Sequence, residues 1–197
     1  MWEVLVNKVS IGVINYETKK VTALSVLASI PSSGATIAVA GAVTADITSY
    51  FAHILRVVQE LAYLYGFEQF NFSEDNIDSE TMDQIMVFMG VMFGVQGASS
   101  VLNKIANSLA ARVAKKLAQK SLTKGIIYPI VKKSAIQIGQ RMTKQIFADG
   151  VASAIPVLGS IASGGLTYAM FKPRCLKLRQ NLMRYNLCDP DFYSINC

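Results

Sequence analysis

IPSSGATIAVAGAVTADITSYFAHILRVVQELAYLYG, residues Ile30 to Gly66, is the stretch around which the chain is organised. Pro31 stands where a helix can start, because a proline at the first helical position gives up an N–H that would have no partner anyway. Gly66 stands where a helix can stop, since glycine enters the left-handed conformation without a side-chain penalty. Between them, a small-residue apolar half gives way to an apolar half carrying Asp46, His53, Arg56 and Glu60. At about 100° per residue these four fall within about 80° of one another, one narrow polar stripe on an otherwise apolar helix. The stretch predicts a helix from Ile30 or Pro31 to about Tyr65, ended by Gly66.

The neighbouring segments follow from this one. Pro31 cannot continue an incoming helix, so a preceding helix should end near Ser29. Before it, Glu3 to Lys20 predicts a short amphipathic helix or a pair of turns, with Val9, Val13, Ile14 and Tyr16 on its apolar side. Phe67 to Asp78 reads as a polar loop with aromatic residues in it. Asp78 or Ser79 can cap the next helix, with Glu80 and Asp83 in its first turn. That helix is expected to run on through the uncharged stretch Gln84 to Asn103, with Gly90, Gly94 and Gly97 on nearly one face to admit another helix closely. Gly159 and Gly164 are given the same close-packing role in the uncharged stretch Gly150 to Phe171.

Two basic amphipathic helices lie between. Leu102, Ile105, Leu109, Val113 and Leu117 form a stripe, with Lys104, Ser108, Lys115 and Gln119 opposite. After a break at Thr123 to Pro129, Val131, Ala135, Ile138, Met142 and Ile146 form a second stripe, opposed by Lys133, Gln137, Gln140, Arg141 and Lys144. A last basic helix is predicted from Pro173 to about Tyr185. Ile30 to Gly34 and Ile155 to Gly159 repeat I-P-x-x-G. Nothing reads as a strand. The expectation is an all-α fold: a compact bundle of about six to seven helices with Gly/Ala-rich apolar hairpins, one domain over residues 1–186 and an irregular tail over 187–197.

Hydrophobic residues make up 52% of the chain and charged residues 16%, below the roughly one quarter usual for a soluble domain. That shortfall points to membrane contact or heavy burial. The net charge of +6 is unevenly spread. Glu68, Glu74, Asp75, Asp78, Glu80 and Asp83 lie in a run without a base from Val57 to Asn103. Lys104, Arg112, Lys115, Lys116, Lys120, Lys124, Lys132, Lys133, Arg141 and Lys144 lie in a run without an acid from Gln84 to Ala148. Such segregation points to an anionic partner, or else to acids that neutralise the basic face within the fold. Cys175, Cys188 and Cys197 have neither disulfide-framework nor zinc-site spacing and suggest a reducing compartment. The first residues, MWEVLVNKVS, lack the pattern of a secretory signal.

Several landmarks together resemble the EcsC family of bacterial proteins. They are the Gly/Ala-rich run before Asp46, the segment Ile54 to Gly66 (ILRVVQELAYLYG), Gly97-Ala98-Ser99-Ser100, and Ala154 to Gly159 (AIPVLG) with its following glycines. The resemblance spans about Lys20 to Tyr185, with an N-terminal part shorter than is usual for the family. It implies an α-helical, membrane-linked protein, the family being named from an operon that encodes an ABC transporter. It supplies no substrate and no catalytic residue.

Catalytic constellations are missing from the sequence. His53 is the only histidine, with no G-x-S-x-G elbow for a triad. No P-loop, GxGxxG or HExxH occurs, and a di-iron site would need paired Glu-x-x-His elements. The reading is of a non-enzymatic protein without cofactor or metal. The Asp46, His53, Arg56 and Glu60 stripe is either a polar site for a proton or a lipid head group, or a self-satisfied set in which Arg56 pairs with Glu60 and with Asp46 or a helix end. Lys104, Arg112, Lys115, Lys116, Lys120, Lys132, Lys133, Arg141 and Lys144 are expected to meet an anionic membrane surface. The region holds too few aromatic residues for nucleic acid.

Two functions follow as expectations. One is a peripheral or partly inserted protein on the cytoplasmic face of a bacterial membrane, accessory to a transporter or to a membrane-stress or defence system, with a membrane-protein partner or self-association left open. The other is a soluble helical module holding a lipid or a partner helix in an apolar pocket.

Overall fold

The computed structural model describes residues 2–28, 38–68, 70, 79–114, 132–141 and 160–189. Among these, every regular element is helical: α1 (Trp2–Ala28), α2 (Ala38–Leu64), α3 (Ser79–Phe93), α4 (Ala98–Ala114), α5 (132–141) and α6 (Ser160–Leu182), followed by a 3₁₀ turn, Met183–Tyr185. The all-α expectation holds. The hinge around Pro31, the break at Thr123 to Pro129, and the expected helical residues beyond Arg141 lie outside the described residues.

Helix α6 lies at the centre, packed against α1, α2 and α3; α1 also packs on α2, and α3 on α4. Each helix buries the side that its 3.6-residue period dictates. On α2 this is Ile54, Val57, Val58, Leu61 and Ala62, continued by Tyr65 just past its end. On α4 it is Ala98, Val101, Leu102, Ile105, Ala106 and Leu109, and on α6 it is Phe171, Cys175, Leu178 and Leu182. Ala135 and Ile138 of α5 are buried, while Lys133, Gln137, Gln140 and Arg141 are exposed, as the sequence pattern required. Phe88 of α3 anchors an aromatic corner, meeting Phe67 at 5.1 Å and Phe70 at 5.4 Å between ring centroids, both edge-on, the orientation that ring quadrupoles favour.

Gly66 ends α2 as expected. Its φ is +83°, the Phe67 N–H donates to the Ala62 carbonyl at 2.9 Å, and the Gly66 N–H donates to that of Tyr63 at 3.1 Å. This pair of bonds is the Schellman arrangement, which satisfies carbonyls that the helix end leaves free. An added Cβ would stand 2.6 Å from the Leu187 carbonyl oxygen, so the C-terminal turn closes down on the end of α2.

Three segments differ from the sequence reading. First, Trp2 to Ala28 is one continuous helix instead of a short helix or turns followed by another. The polar run Tyr16 to Lys20 stays helical because Glu17 finds a partner inside the bundle, while the buried Thr18 hydroxyl is satisfied by the Ile14 carbonyl at 2.6 Å. Second, the helix entering Gln84 stops at Phe93. Gly94 has φ +75°, and Val95 N–H to Gly90 C=O (2.8 Å) with Gly94 N–H to Val91 C=O (3.1 Å) repeats the Schellman pattern. Gly94 and Gly97 (φ +90°) are turn residues between α3 and α4, not members of one helix face. Gly90 is a close-packing position: a Cβ there would meet Ile138 of α5 at 2.3 Å. Third, Pro173 does not start the last helix but lies within α6. The carbonyl it leaves without a helix donor belongs to Ala169, an exposed residue, so the proline falls on the solvent side of the helix.

Candidate functional site

The inward face of α1 is Val6, Ser10, Ile14, Glu17, Thr18, Val21 and Ser25, spaced by three and four residues and buried throughout. A glutamate in such a row needs a partner, because an unpaired buried carboxylate is strongly disfavoured. Helix α2 supplies it. His53 Nδ1 lies 2.5 Å from Glu17 Oε2, and Arg56 Nη1 lies 3.8 Å from Glu17 Oε1. An ionised carboxylate only accepts, so the His53 Nδ1–H donates. Glu17 has 2% of its side chain exposed, His53 13% and Arg56 55%, so the cluster runs from the interior outward.

Glu60, one turn past Arg56, completes it. Its carboxyl is held above the usual range chiefly by burial, then by the negative Glu17; Arg56 and Lys20 pull the other way. Two acids and two bases, Glu17, Glu60, Arg56 and Lys20, therefore balance formally around His53. Arg56 attracts Glu60 as expected, but among the described residues its ion-pair partner is Glu17, a residue on another helix that the sequence reading did not single out. Asp46 falls in α2, with its side chain outside the described residues.

Further polar contacts fix the same helix. Arg179 of α6 donates from Nε to Ser10 Oγ (2.9 Å) and from Nη2 to Asn7 Oδ1 (2.8 Å). Ser10 donates to the Asn7 carbonyl at 3.0 Å, so at 3.1 Å the Tyr65 hydroxyl is the donor to Ser10. Thr167 of α6 donates to Ser25 at 3.1 Å. Apart from the bond within α1, each of these ties a polar residue of α1 to α6 or to the end of α2.

The exposed side of α1 also carries large apolar residues. Trp2, Val4, Leu5, Val9, Ile11, Tyr16, Leu24 and Leu27 are all exposed. At one end an open apolar groove of about 320 Å³ lies between Leu5, Val9, Tyr63 and Cys188.

The expected basic residues divide by position. Lys104 of α4 and Lys132, Lys133 and Arg141 of α5 are exposed; Arg141 donates to the Gln96 carbonyl at 3.2 Å. Lys132 lies close enough to Asp83 to draw down a carboxyl that burial otherwise raises, so part of the acidic run does neutralise part of the basic face. Arg112 falls in α4 and Gly164 in α6. The side chain of Arg112 lies outside the described residues, as do Lys115, Lys116, Lys120, Lys144 and Gly159 entirely.

Among the described residues, no three His, Cys, Asp or Glu side chains come together as metal ligands, and no helix is long and apolar enough to cross a membrane. The chain matches no protein-family model, no curated protein and no solved structure.

Proposed function

We propose that the protein is a non-enzymatic, membrane-associated helical protein that binds the anionic cytoplasmic surface of a bacterial membrane through its basic helices. The observation that carries this is the solvent-facing set Lys104, Lys132, Lys133 and Arg141 on α4 and α5, two helices whose described residues contain no acid. A basic residue near an anionic leaflet gains about 1 kcal/mol. The low charged fraction of the chain and the EcsC-like order of its motifs point the same way, towards an accessory role beside a transporter or in membrane stress or defence.

Flotation with phosphatidylcholine vesicles, with and without phosphatidylglycerol, tests it. Binding is expected only with the anionic lipid and should fall steeply as salt rises, since screening shortens the reach of exposed charges. Exchanging Lys104, Lys132, Lys133 and Arg141 for glutamine should weaken it by up to about a thousandfold. Equal binding to neutral and anionic vesicles, or none to either, would refute the proposal.

The apolar groove beside Tyr63 favours a second reading, a soluble module that takes a lipid chain or a partner helix. That binding would be indifferent to salt, so the same experiment separates the two.

A further inference from the structure

Helix α1 is partly inverted: its buried row sets four polar residues beside Val6, Ile14 and Val21. Among the described residues, Ser10, Glu17, Thr18 and Ser25 of this one helix are buried polar groups, and the same helix contributes most of the large apolar side chains left in solvent. An amphipathic helix packed on a bundle normally does the reverse. The inversion is fixed in place by the bonds from Arg179 to Asn7 and Ser10, Tyr65 to Ser10, His53 to Glu17 and Thr167 to Ser25. Rolling α1 to hide its apolar face would break all of them at once and bury the lysines now outside. The outward face is therefore a property of the folded protein.

We infer that this outward face of α1 is the part of the molecule that enters the interfacial region of an anionic membrane, lying in its plane. This rests on the membrane reading above and adds to it the surface that inserts. Three observations select lipid as the occupant. Trp2 and Tyr16, 55% and 58% exposed, share the face with Leu5 and Val9; amphipathic aromatic rings favour the headgroup level of a bilayer. Lys8 and Lys19 are exposed between Leu5 on one side and Val4 and Ile11 on the other, and Lys20, on the same side of the helix as Trp2, holds its ammonium 4.4 Å from the Tyr16 ring centroid. Lysines set among these apolar residues match anionic head groups while their stems extend over apolar surface. Glu3 is the one exposed acid on α1, because Glu17 is turned inward. At about 1.5 Å per residue the helix offers a strip about 40 Å long, and α1 is not apolar enough to cross instead.

Trp2 is the only tryptophan of the chain, so its emission reports on this face alone. The test combines flotation with Trp2 fluorescence, using phosphatidylcholine–phosphatidylglycerol vesicles whose acyl chains carry bromine. The expected result is a blue-shifted emission quenched by the brominated chains, and a loss of vesicle partitioning of about tenfold for Leu5→Asp and for Val9→Asp, since each removes the transfer of a large apolar side chain. Both positions are exposed, so the unbound fold should be unchanged, which circular dichroism checks; the quenching measurement needs no variant. Flotation with Trp2 unquenched would overturn the inference and leave the membrane reading standing. No flotation would overturn both. A blue-shifted Trp2 without vesicles, together with a dimer in sedimentation velocity, would assign the face to a second copy of the chain and overturn it as well.

Discussion

His53→Ala tests the central packing argument directly. The substitution removes the group that donates to Glu17 Oε2 at 2.5 Å and leaves a carboxylate that is 98% buried by side-chain area. Breaking a buried pair by deleting one partner costs about 3–5 kcal/mol, because the remaining charge is stranded. Arg56 lowers that figure, since its Nη1 stays 3.8 Å from the other carboxylate oxygen, but it is more than half exposed and screened by water. A loss of about 2–3 kcal/mol is the resulting expectation. For a chain of this length, 1 kcal/mol moves Tm by about 2–4 °C, giving a drop of about 4–12 °C. Thermal unfolding followed at 222 nm measures it. The decisive comparison is the double variant Glu17→Leu/His53→Ala, in which no charge remains to strand. It should be more stable than His53→Ala alone, giving a favourable coupling between the two sites. If His53→Ala leaves Tm within 2 °C of the parent, or if the double variant is no better than the single one, Glu17 does not depend on His53 and the reasoning fails.

The remaining predictions concern the same framework. Glu60→Gln should raise Tm at pH 7–8, because burial and Glu17 make the ionised carboxylate unfavourable. A carboxyl raised in the folded state loses its penalty as pH falls through its folded pKa, so the advantage should fade towards pH 4.5, as Tm measured across that range will show. Gly66→Ala should cost about 2 kcal/mol in urea unfolding, from the φ of +83° and the approach to the Leu187 carbonyl. Gly12→Ala, in helical conformation with open space around it, should instead gain up to about 1 kcal/mol in the same assay. Phe88→Ala, which empties the aromatic corner under Phe67 and Phe70, should cost about 3–5 kcal/mol by the same measurement.

Local signals were the legible part of this sequence. Gly66 ended α2 because a cap depends on one or two residues whose chemistry is visible in isolation, and α3 begins at Ser79, within the expected start. Ala135 and Ile138 went inward because the period of a helix is fixed. What was lost depends on partners from elsewhere in the chain. Arg56 and Glu60 are four residues apart and look like a pair; only the packing of α1 on α2 brings in Glu17, far off in sequence, as the stronger claimant. Glu17 did carry a signal, since it shares a period with Ser10, Ile14 and Val21, but a polar residue in a buried row reads as a solvent face until its partner is known. Gly90, Gly94 and Gly97 look alike as letters. One is set by an approaching helix and two by backbone turns, and spacing alone does not separate these demands. Pro173 looked like a helix start because a proline's cost depends on which carbonyl it deprives, and only the fold shows that Ala169 faces water.

The packing of α1 against α6 has a consequence for how the chain is made. These helices are joined in space but separated by roughly 130 residues of chain, so at ordinary rates of synthesis the ribosome needs on the order of ten seconds to deliver Arg179 and Thr167 after finishing α1. Through that interval Asn7, Ser10 and Ser25 have no long-range partner from α6, while the other side of the helix already presents its large apolar residues. The nascent protein therefore offers an incompletely fastened helix to whatever lies near the tunnel exit, whether a chaperone or a lipid surface. His53 and Tyr65 can engage it first, and completion of the C-terminal helix adds the bonds that finish locking its polar row inside.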